Sequence, residues 1–261
     1  MSKDIKSTIL KSPIWWVGGK SKLAKDIVAQ FPEHKHYIEV FGWGLSVFFT
    51  KQNSKLETIN DINNNLINLF EIIKYHPQTL SDYLNQLLIS RSIFNNIISK
   101  KYVPSHAIER AAFFYYKISQ SFGSMWKHFA MNSKSWRKPK SIWKSFQKWS
   151  ERLKFVTIEN MSFEELIKKY DKEDSFFYLD PPYYEYEDYY DWWFKKSQHT
   201  LLRDSLKNVK WKFLLSYNDC PEIRELYKDF NIKTSKEISY TLGSNLDNEH
   251  KKVCELYITN C

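Results

Sequence analysis

Asp180 stands at the end of an apolar run, Phe176-Phe177-Tyr178-Leu179, and is followed at once by Pro181, Pro182, Tyr183 and Tyr184. The run is short enough for a buried strand. The two prolines fix φ and exclude a helix, and each pushes the residue before it to extended geometry. The result is a stiff loop at a strand's carboxyl end, where open α/β sheets place their ligands. It presents one carboxylate, proline carbonyls and an aromatic face. That set suits a flat heterocycle bearing an amino group: Asp180 and the Pro181 carbonyl accept the two amino hydrogens, and Tyr183 stacks on the ring. With Pro at ~5% of residues, Asp-Pro-Pro-aromatic arises by chance in roughly one chain in a thousand of this length. A proline-stiffened surface turn is the plainer reading of the loop alone.

Elements able to hold such a loop surround it. His36 to Phe41 reads as a strand, Gly42-Trp43-Gly44 as a turn, and Leu45 to Lys51 as the start of a helix, the opening of a nucleotide-binding α/β unit. Leu56 to Asp61 is a second strand ending in an acid about 20 residues on, the place where an acid takes the ribose hydroxyls of an adenosine-type cofactor. Asp61 also suits the N-cap of a helix from Asn63. Earlier, Gly18-Gly19-Lys20-Ser21 suggests a P-loop, but Ile14 stands where that motif needs glycine. A glycine pair beside a lysine still suits a carboxylate or phosphate. Residues 1–13 read as a loose polar lead-in and Leu23 to Phe31 as a helix.

Past the key loop, Tyr183 to Phe194 is crowded with aromatics and acids and reads as a lid or substrate wall. His199 to Leu206 and Pro221 to Phe230 read as helices, and Trp211 to Tyr217, Ile232 to Tyr240 and Val253 to Thr259 as strands. Before it, Phe155 to Ile158 is a strand and Ser162 to Tyr170 a helix, with Ser162 and Glu165 forming a capping box. Thr241 to Lys252 reads as a long mobile loop. The alternation predicts a mostly parallel sheet with an antiparallel strand near its end.

Between these halves, helical spacing dominates over Leu66–Ile73, Leu80–Ile89, Ala107–Ile118 and Ile142–Leu153. From Arg91 to Lys154 there are 14 Lys or Arg against Glu109 and Glu151, a net +12 that exceeds the whole chain's +9. Trp126, Trp136, Trp143 and Trp149 lie among those charges. Lys127 and the segment Trp136-Arg137-Lys138-Pro139-Lys140 suit phosphate contacts that would seat a duplex, against the plainer reading of a solvated charged face.

The remaining bounds are broad. At 261 residues, 43% hydrophobic and 17% aromatic, the chain can bury a core. Its basic balance points to a polyanion, most simply nucleic acid. No apolar run is long enough for a membrane span, and Met1 to Lys11 lacks a signal-peptide core. Cys220, Cys254 and Cys261 have no metal-ligand spacing and read as cytosolic thiols.

Taken in order, these segments resemble the Dam-like, alpha-group adenine-N6 DNA methyltransferases over nearly the full length. Trp16-Val17-Gly18-Gly19-Lys20 is similar to that family's N-terminal cofactor motif, Tyr37-Ile38-Glu39-Val40-Phe41-Gly42 to its first Rossmann motif and Asn60-Asp61 to its ribose acid. Glu159 to Phe163 resembles its adenine-side segment and Asp180-Pro181-Pro182-Tyr183 its catalytic motif. Leu215 to Asp219 and Glu255 to Asn260 resemble its closing strands. Three departures stand out. Trp43 replaces a usual glycine and Ser162 a usual acid, and Ser121 to Trp126 lacks the usual Asn and Arg.

The resemblance implies a Rossmann-like methyltransferase sheet (residues 1–65 and 155–261) with an inserted helical target-recognition domain (66–154). It implies Asp180, Pro181, Pro182 and Tyr183 as catalytic. It implies Trp16, Gly18, Lys20, Glu39, Phe41, Gly42, Asp61, Phe163 and Asp180 as binding S-adenosylmethionine, and Lys127, Arg137, Lys138 and Lys140 as binding DNA. Expected partners are double-stranded DNA, reached by flipping the base, and a cognate restriction endonuclease. Neither metal nor membrane is expected. The expected protein is a monomer or weak dimer in the cytoplasm, of prokaryotic or phage origin. An RNA adenine methyltransferase and a catalytically silent DNA-binding protein on the same scaffold are the rival readings.

Overall fold

Phe176, Phe177, Tyr178 and Leu179 are all buried, as a strand with sheet neighbours on both edges and cover on both faces requires. The computed structural model describes residues 9–121, 126–130, 144–185, 194–239 and 252–260. The chain divides into two units, the first of Met1–Val28, Gly42–Asn53 and Asn63–Asn160, the second of Ala29–Phe41, Ser54–Ile62 and Met161–Cys261.

The second unit holds β1 (His36–Glu39), β2 (Leu56–Asn60), α8 (Phe163–Tyr170), β4 (Ser175–Leu179), α9 (Lys196–Lys207), β5 (Lys212–Asn218), α10 (Pro221–Leu226), β6 (Asn231–Thr234), β7 (Ile238–Ser239), β8 (Lys252–Val253) and β9 (Glu255–Thr259). Six of these strands lie in the order β2-β1-β4-β5-β9-β6 within a seven-stranded sheet. The pairs β1–β2, β1–β4 and β4–β5 are parallel. β9 runs antiparallel to both β5 and β6. The expected mostly parallel sheet with one antiparallel strand is therefore the observed one. Ser162 caps α8, its hydroxyl accepting from the Glu165 N–H at 3.3 Å.

Two expected strands are each broken. Ile232 to Tyr240 divides at Ser235, whose N–H donates to the Glu255 carbonyl at 2.7 Å while its hydroxyl accepts from the Glu255 N–H at 2.8 Å. The side chain takes a place in the ladder and ends β6. Beyond it β7 pairs with β8 as a separate two-stranded ribbon, and Cys254 separates β8 from β9. The expected loop over Thr241 to Lys252 lies outside the described residues except at Lys252.

The first unit holds α1 (Ala24–Val28), α2 (Ser46–Thr50), α3 (Asn64–Tyr75), α4 (Pro77–Gln86), α5 (Arg91–Ile98), α6 (Ala107–Gln120), α7 (Gln147–Leu153) and the short strand β3 (Thr157–Glu159). α6 is its centre, packing on α3, α4 and α5 with Ala111 to Tyr116 buried. The Tyr116 hydroxyl donates to the Leu88 carbonyl at 2.9 Å and accepts from the Ser90 N–H at 3.0 Å, fixing the link that leads into α5. α5 itself was not expected. Ser90 caps it.

The lead-in is not loose where it is described. The Leu10 N–H donates to the Phe49 carbonyl at 3.0 Å, the Trp149 indole to the Lys11 carbonyl at 2.8 Å, and the Lys144 ammonium to the Pro13 carbonyl at 2.8 Å. Its polar composition hid this, because the main-chain groups make these bonds.

Candidate active site

In the second unit β4 delivers Asp180, which is only 5% exposed, and Pro181 and Pro182 are buried after it. A carboxylate so enclosed needs hydrogen-bond donors. Ser216, on the neighbouring strand β5, places its hydroxyl 3.2 Å from Asp180 Oδ1. The Tyr178 hydroxyl lies 3.2 Å from the same Ser216 oxygen. With one proton each, Tyr178 donates to Ser216 and Ser216 to Asp180. Burial, then the Asp180 charge, raises the Tyr178 phenol well above its ordinary range, so it stays a donor. The carboxylate orientation is thus set from β4 and β5 together.

The loop that follows is pinned to the end of β5. Asn218 accepts from the Tyr184 N–H at 3.1 Å and donates to the Tyr184 carbonyl at 3.2 Å. The Tyr183 ring lies 6.1 Å from that of Tyr217 at 31°, a tilted near-stack. Glu185 then turns the chain at φ 68°. Most of the expected lid, residues 186–193, lies outside the described residues.

Expected cofactor residues of this unit are placed by the ends of β1 and β2. Glu39 is buried and accepts from the Tyr37 hydroxyl at 2.6 Å. Burial and the Glu39 charge hold the Tyr37 phenol protonated. The rings of Phe41, Phe163 and Phe194 lie 5.8–6.3 Å apart as a triad. Asp61 is buried directly after β2, and the cap of α3 falls to the Asn63 side chain, which accepts from the Asn65 and Leu66 N–H groups.

Asn60 is one residue whose role sequence reasoning missed. Buried, it donates to the Val40 carbonyl at 3.0 Å and the Met161 carbonyl at 3.1 Å, and accepts from the Met161 N–H at 3.0 Å. One carboxamide ties the segments that carry Phe41, Asp61 and Phe163. The adjacent acid drew attention from it, and an Asn at a strand end ordinarily signals a turn.

The first unit contains the other expected residues. Trp16 is buried against Trp43, Phe114 and Trp126, with ring centroids 5.0–6.3 Å away. Gly18 has φ 74°, and the Lys20 ammonium, also buried, donates to the Gly18 carbonyl at 3.2 Å. The lysine folds onto its own turn. The Gly42 carbonyl accepts from the Leu45 N–H at 2.7 Å. In this turn Trp43 adopts φ 43° and Leu45 φ 53°, left-handed values that cost a side-chain-bearing residue free energy. Trp43 thus keeps a backbone conformation that favours glycine. Gly44 is confined: a Cβ there would sit 3.3 Å from Ser12 Oγ and from Trp16 Cβ.

Lys127 is exposed, whereas Arg137, Lys138 and Lys140 lie outside the described residues. Among the described residues no group of three or more His, Cys, Asp or Glu could hold a metal ion, and no helix is long and apolar enough to cross a membrane. Cys220 and Cys254 are free thiols.

Comparison with known proteins gives a consistent family. Residues 16–241 match the model of the D12 class N6 adenine-specific DNA methyltransferases. The Type II methyltransferase M1.LlaDCHI of Lactococcus lactis subsp. cremoris is 30% identical over 94% of this chain and 93% of its own. The Type II methyltransferase M.CviBI of Paramecium bursaria Chlorella virus NC1A is 26% identical over 88% and 91%. The DNA adenine methylase of Vibrio cholerae serotype O1 is 25% identical over 64% and 63%.

Proposed function

The chain belongs to the D12 class N6 adenine-specific DNA methyltransferase family, and we propose that it takes its methyl group from S-adenosylmethionine and places it on the N6 amino group of an adenine flipped out of duplex DNA. The observation that carries the reading is Asp180: a buried carboxylate at the end of β4, oriented by Ser216 and followed by two buried prolines.

The residues present fit the donor. The triad Phe41, Phe163 and Phe194 offers apolar ring faces to its adenine, and buried Asp61 offers an acceptor to its ribose hydroxyls. Glu39, Trp16, Gly18, Lys20 and Gly42 are assigned to the same cofactor. When bound, S-adenosylmethionine supplies a methyl group activated by a positively charged sulfur. The chain's own residues prepare the acceptor. Asp180 and the Pro181 carbonyl accept the two N6 hydrogens, which draws the nitrogen towards tetrahedral character and frees its lone pair. Pro182 stiffens the loop, and Tyr183 stacks on the flipped base. Most of the acceleration then comes from positioning and preorganised dipoles.

Residues 66–154 are assigned to target recognition. Lys127, Arg137, Lys138 and Lys140 contact phosphates, a sequence-independent and salt-dependent contribution. The names of the Lactococcus and chlorella-virus relatives support a restriction-modification setting with a cognate endonuclease. A cytoplasmic monomer or weak dimer completes the proposal.

The test is methyl transfer from labelled S-adenosylmethionine to unmethylated duplex DNA, with the product digested and its nucleosides identified by mass spectrometry. Label is expected in N6-methyladenine. Asp180→Ala should abolish it while calorimetry still detects S-adenosylmethionine binding. Label in another base, or near-full activity in Asp180→Ala, would overturn the reading.

A further inference from the structure

Helix α9 buries a histidine that the chemistry above does not use. His199 is 1% exposed, and its Nδ1 is hydrogen-bonded to the Tyr217 hydroxyl. Around the imidazole stand the rings of Phe194 at 4.9 Å, Tyr184 at 5.3 Å and Tyr217 at 5.7 Å. Apolar packing alone would be served by phenylalanine, without the cost of enclosing a polar ring. What the imidazole adds is direction: it anchors the Tyr217 hydroxyl, and because a phenol's hydrogen bonds run close to its ring plane, the bond favours one orientation of that ring.

Tyr217 is the ring beside Tyr183. We propose that His199 and Tyr217 form a positioning pair that holds Tyr183 at the angle at which it stacks on the target adenine; this rests on the reading of Tyr183 given above. Two neighbouring residues of β5 then hold the loop in different ways. Tyr217 sets the Tyr183 ring, and Asn218 clamps the Tyr184 main chain. α9 adds a second hold one turn earlier, where the Lys196 ammonium lies 5.2 Å from the Tyr184 ring centroid. His199 touches neither substrate nor cofactor in this account and acts through Tyr217.

The experiment is a double-mutant cycle on the full chain in the methyl-transfer assay, with Tyr217→Phe, His199→Phe and their combination. Each single change removes the hydrogen bond and keeps an aromatic ring. Each is expected to lower kcat about tenfold with cofactor affinity unchanged, and the double variant should lose no more than either single one. His199→Asn, which restores a short side-chain hydrogen-bonding group near the Nδ1 position, should regain most of the loss. A duplex carrying 2-aminopurine at the mapped target adenine should show altered fluorescence with Tyr217→Phe and His199→Phe, reporting changed stacking. Losses that multiply in the double variant, losses matched by an equal fall in cofactor affinity, or full activity in both single variants would overturn the pair. Asp180→Ala run beside them separates the two readings. If it is inactive while the pair variants are fully active, the positioning proposal alone fails. If Asp180→Ala is itself active, the loop reading fails first.

Discussion

Replacing Asn60 with alanine removes a buried side chain that ties the ends of β1 and β2 to the segment before α8. The Val40 carbonyl, the Met161 carbonyl and the Met161 N–H each lose the partner they have at 3.0–3.1 Å. A buried backbone group left without a partner costs about 1–3 kcal/mol. A water admitted to the space of the lost carboxamide recovers part of that, so the net loss should be about 3 kcal/mol. For a chain of this length about 1 kcal/mol moves Tm by roughly 2–4 °C, and the expected fall is about 6–12 °C. Affinity should fall with it, because Asp61 and Phe163 are placed by the same bonds. About 1.4 kcal/mol of lost cofactor binding is a tenfold rise in Kd.

Asn60→Asp sharpens the test. It has nearly the same shape, but an ionised carboxylate only accepts. It keeps the Met161 N–H bond and sets negative oxygens against two carbonyls, so at pH 7 it should be at least as damaging as alanine. The measurements are thermal unfolding and calorimetric titration with S-adenosylmethionine. An alanine variant within 2 °C of the parent and within twofold in Kd, or an aspartate variant better than alanine, would refute the reasoning.

Three further outcomes are expected. Glu109 accepts from the Ser105 N–H, the Ser105 hydroxyl and the Tyr83 hydroxyl, which hold its carboxyl down at about 2. Its stabilisation is complete above the unfolded value near 4.5 and is lost as pH falls towards 2, so denaturant melts of parent and Glu109→Gln should differ at pH 6 and converge near pH 2. Burial lowers the Lys144 amine to about 8, so its side-chain carbon resonance should titrate near pH 8 by NMR; a midpoint above 10 would contradict the burial. At Trp43 the left-handed backbone costs about 1–2 kcal/mol, and the ring contact with Trp16 contributes about 1 kcal/mol. Trp43→Gly should therefore melt close to the parent, whereas Trp43→Ala, which keeps the strain and loses the ring, should melt several degrees lower than either.

The parts of the fold that could be read from the sequence are those where one physical requirement dominates. β4 is apolar on both faces because it is central, and its end is marked by prolines that permit little else. Ser162 announces α8 through a local cap. Less legible were the features decided by partners far along the chain. Asn60 bonds across to Val40 and Met161, 20 and 101 residues away, and no window contains both. The division of Ile232 to Tyr240 depends on Ser235 meeting Glu255. The lead-in is held through carbonyls, which carry no residue identity at all. α5 is the exception, since Ser90 stands before it as a local cap, but the Ile, Asn and Ser residues around it have weak helical preference and blur the signal. In the candidate site, carboxylates and glycines carry a signal of their own, while Ser216, Asn218 and His199 do not. Hydroxyls, amides and a lone imidazole are common, and only their neighbours reveal what they hold.

The second unit is assembled from three separate stretches of chain, and this has a bearing on its birth at the ribosome. β1 pairs with β4, an interval illustrated by the Lys35–Asp174 contact across 139 residues. At about 5–20 residues per second, roughly 7–30 s separate the synthesis of the two strands. During that time β1 has β2 for a neighbour and one bare edge, along which Tyr37 and Ile38, fully buried in the finished protein, are uncovered. An unpaired edge of that kind is a template for the wrong strand. Long-range parallel pairing is also slow once the chain is complete. Yield on expression should therefore respond to growth temperature and chaperone supply more than the finished protein's stability would suggest, and the folding of the catalytic sheet should be a late event, waiting on the arrival of β4.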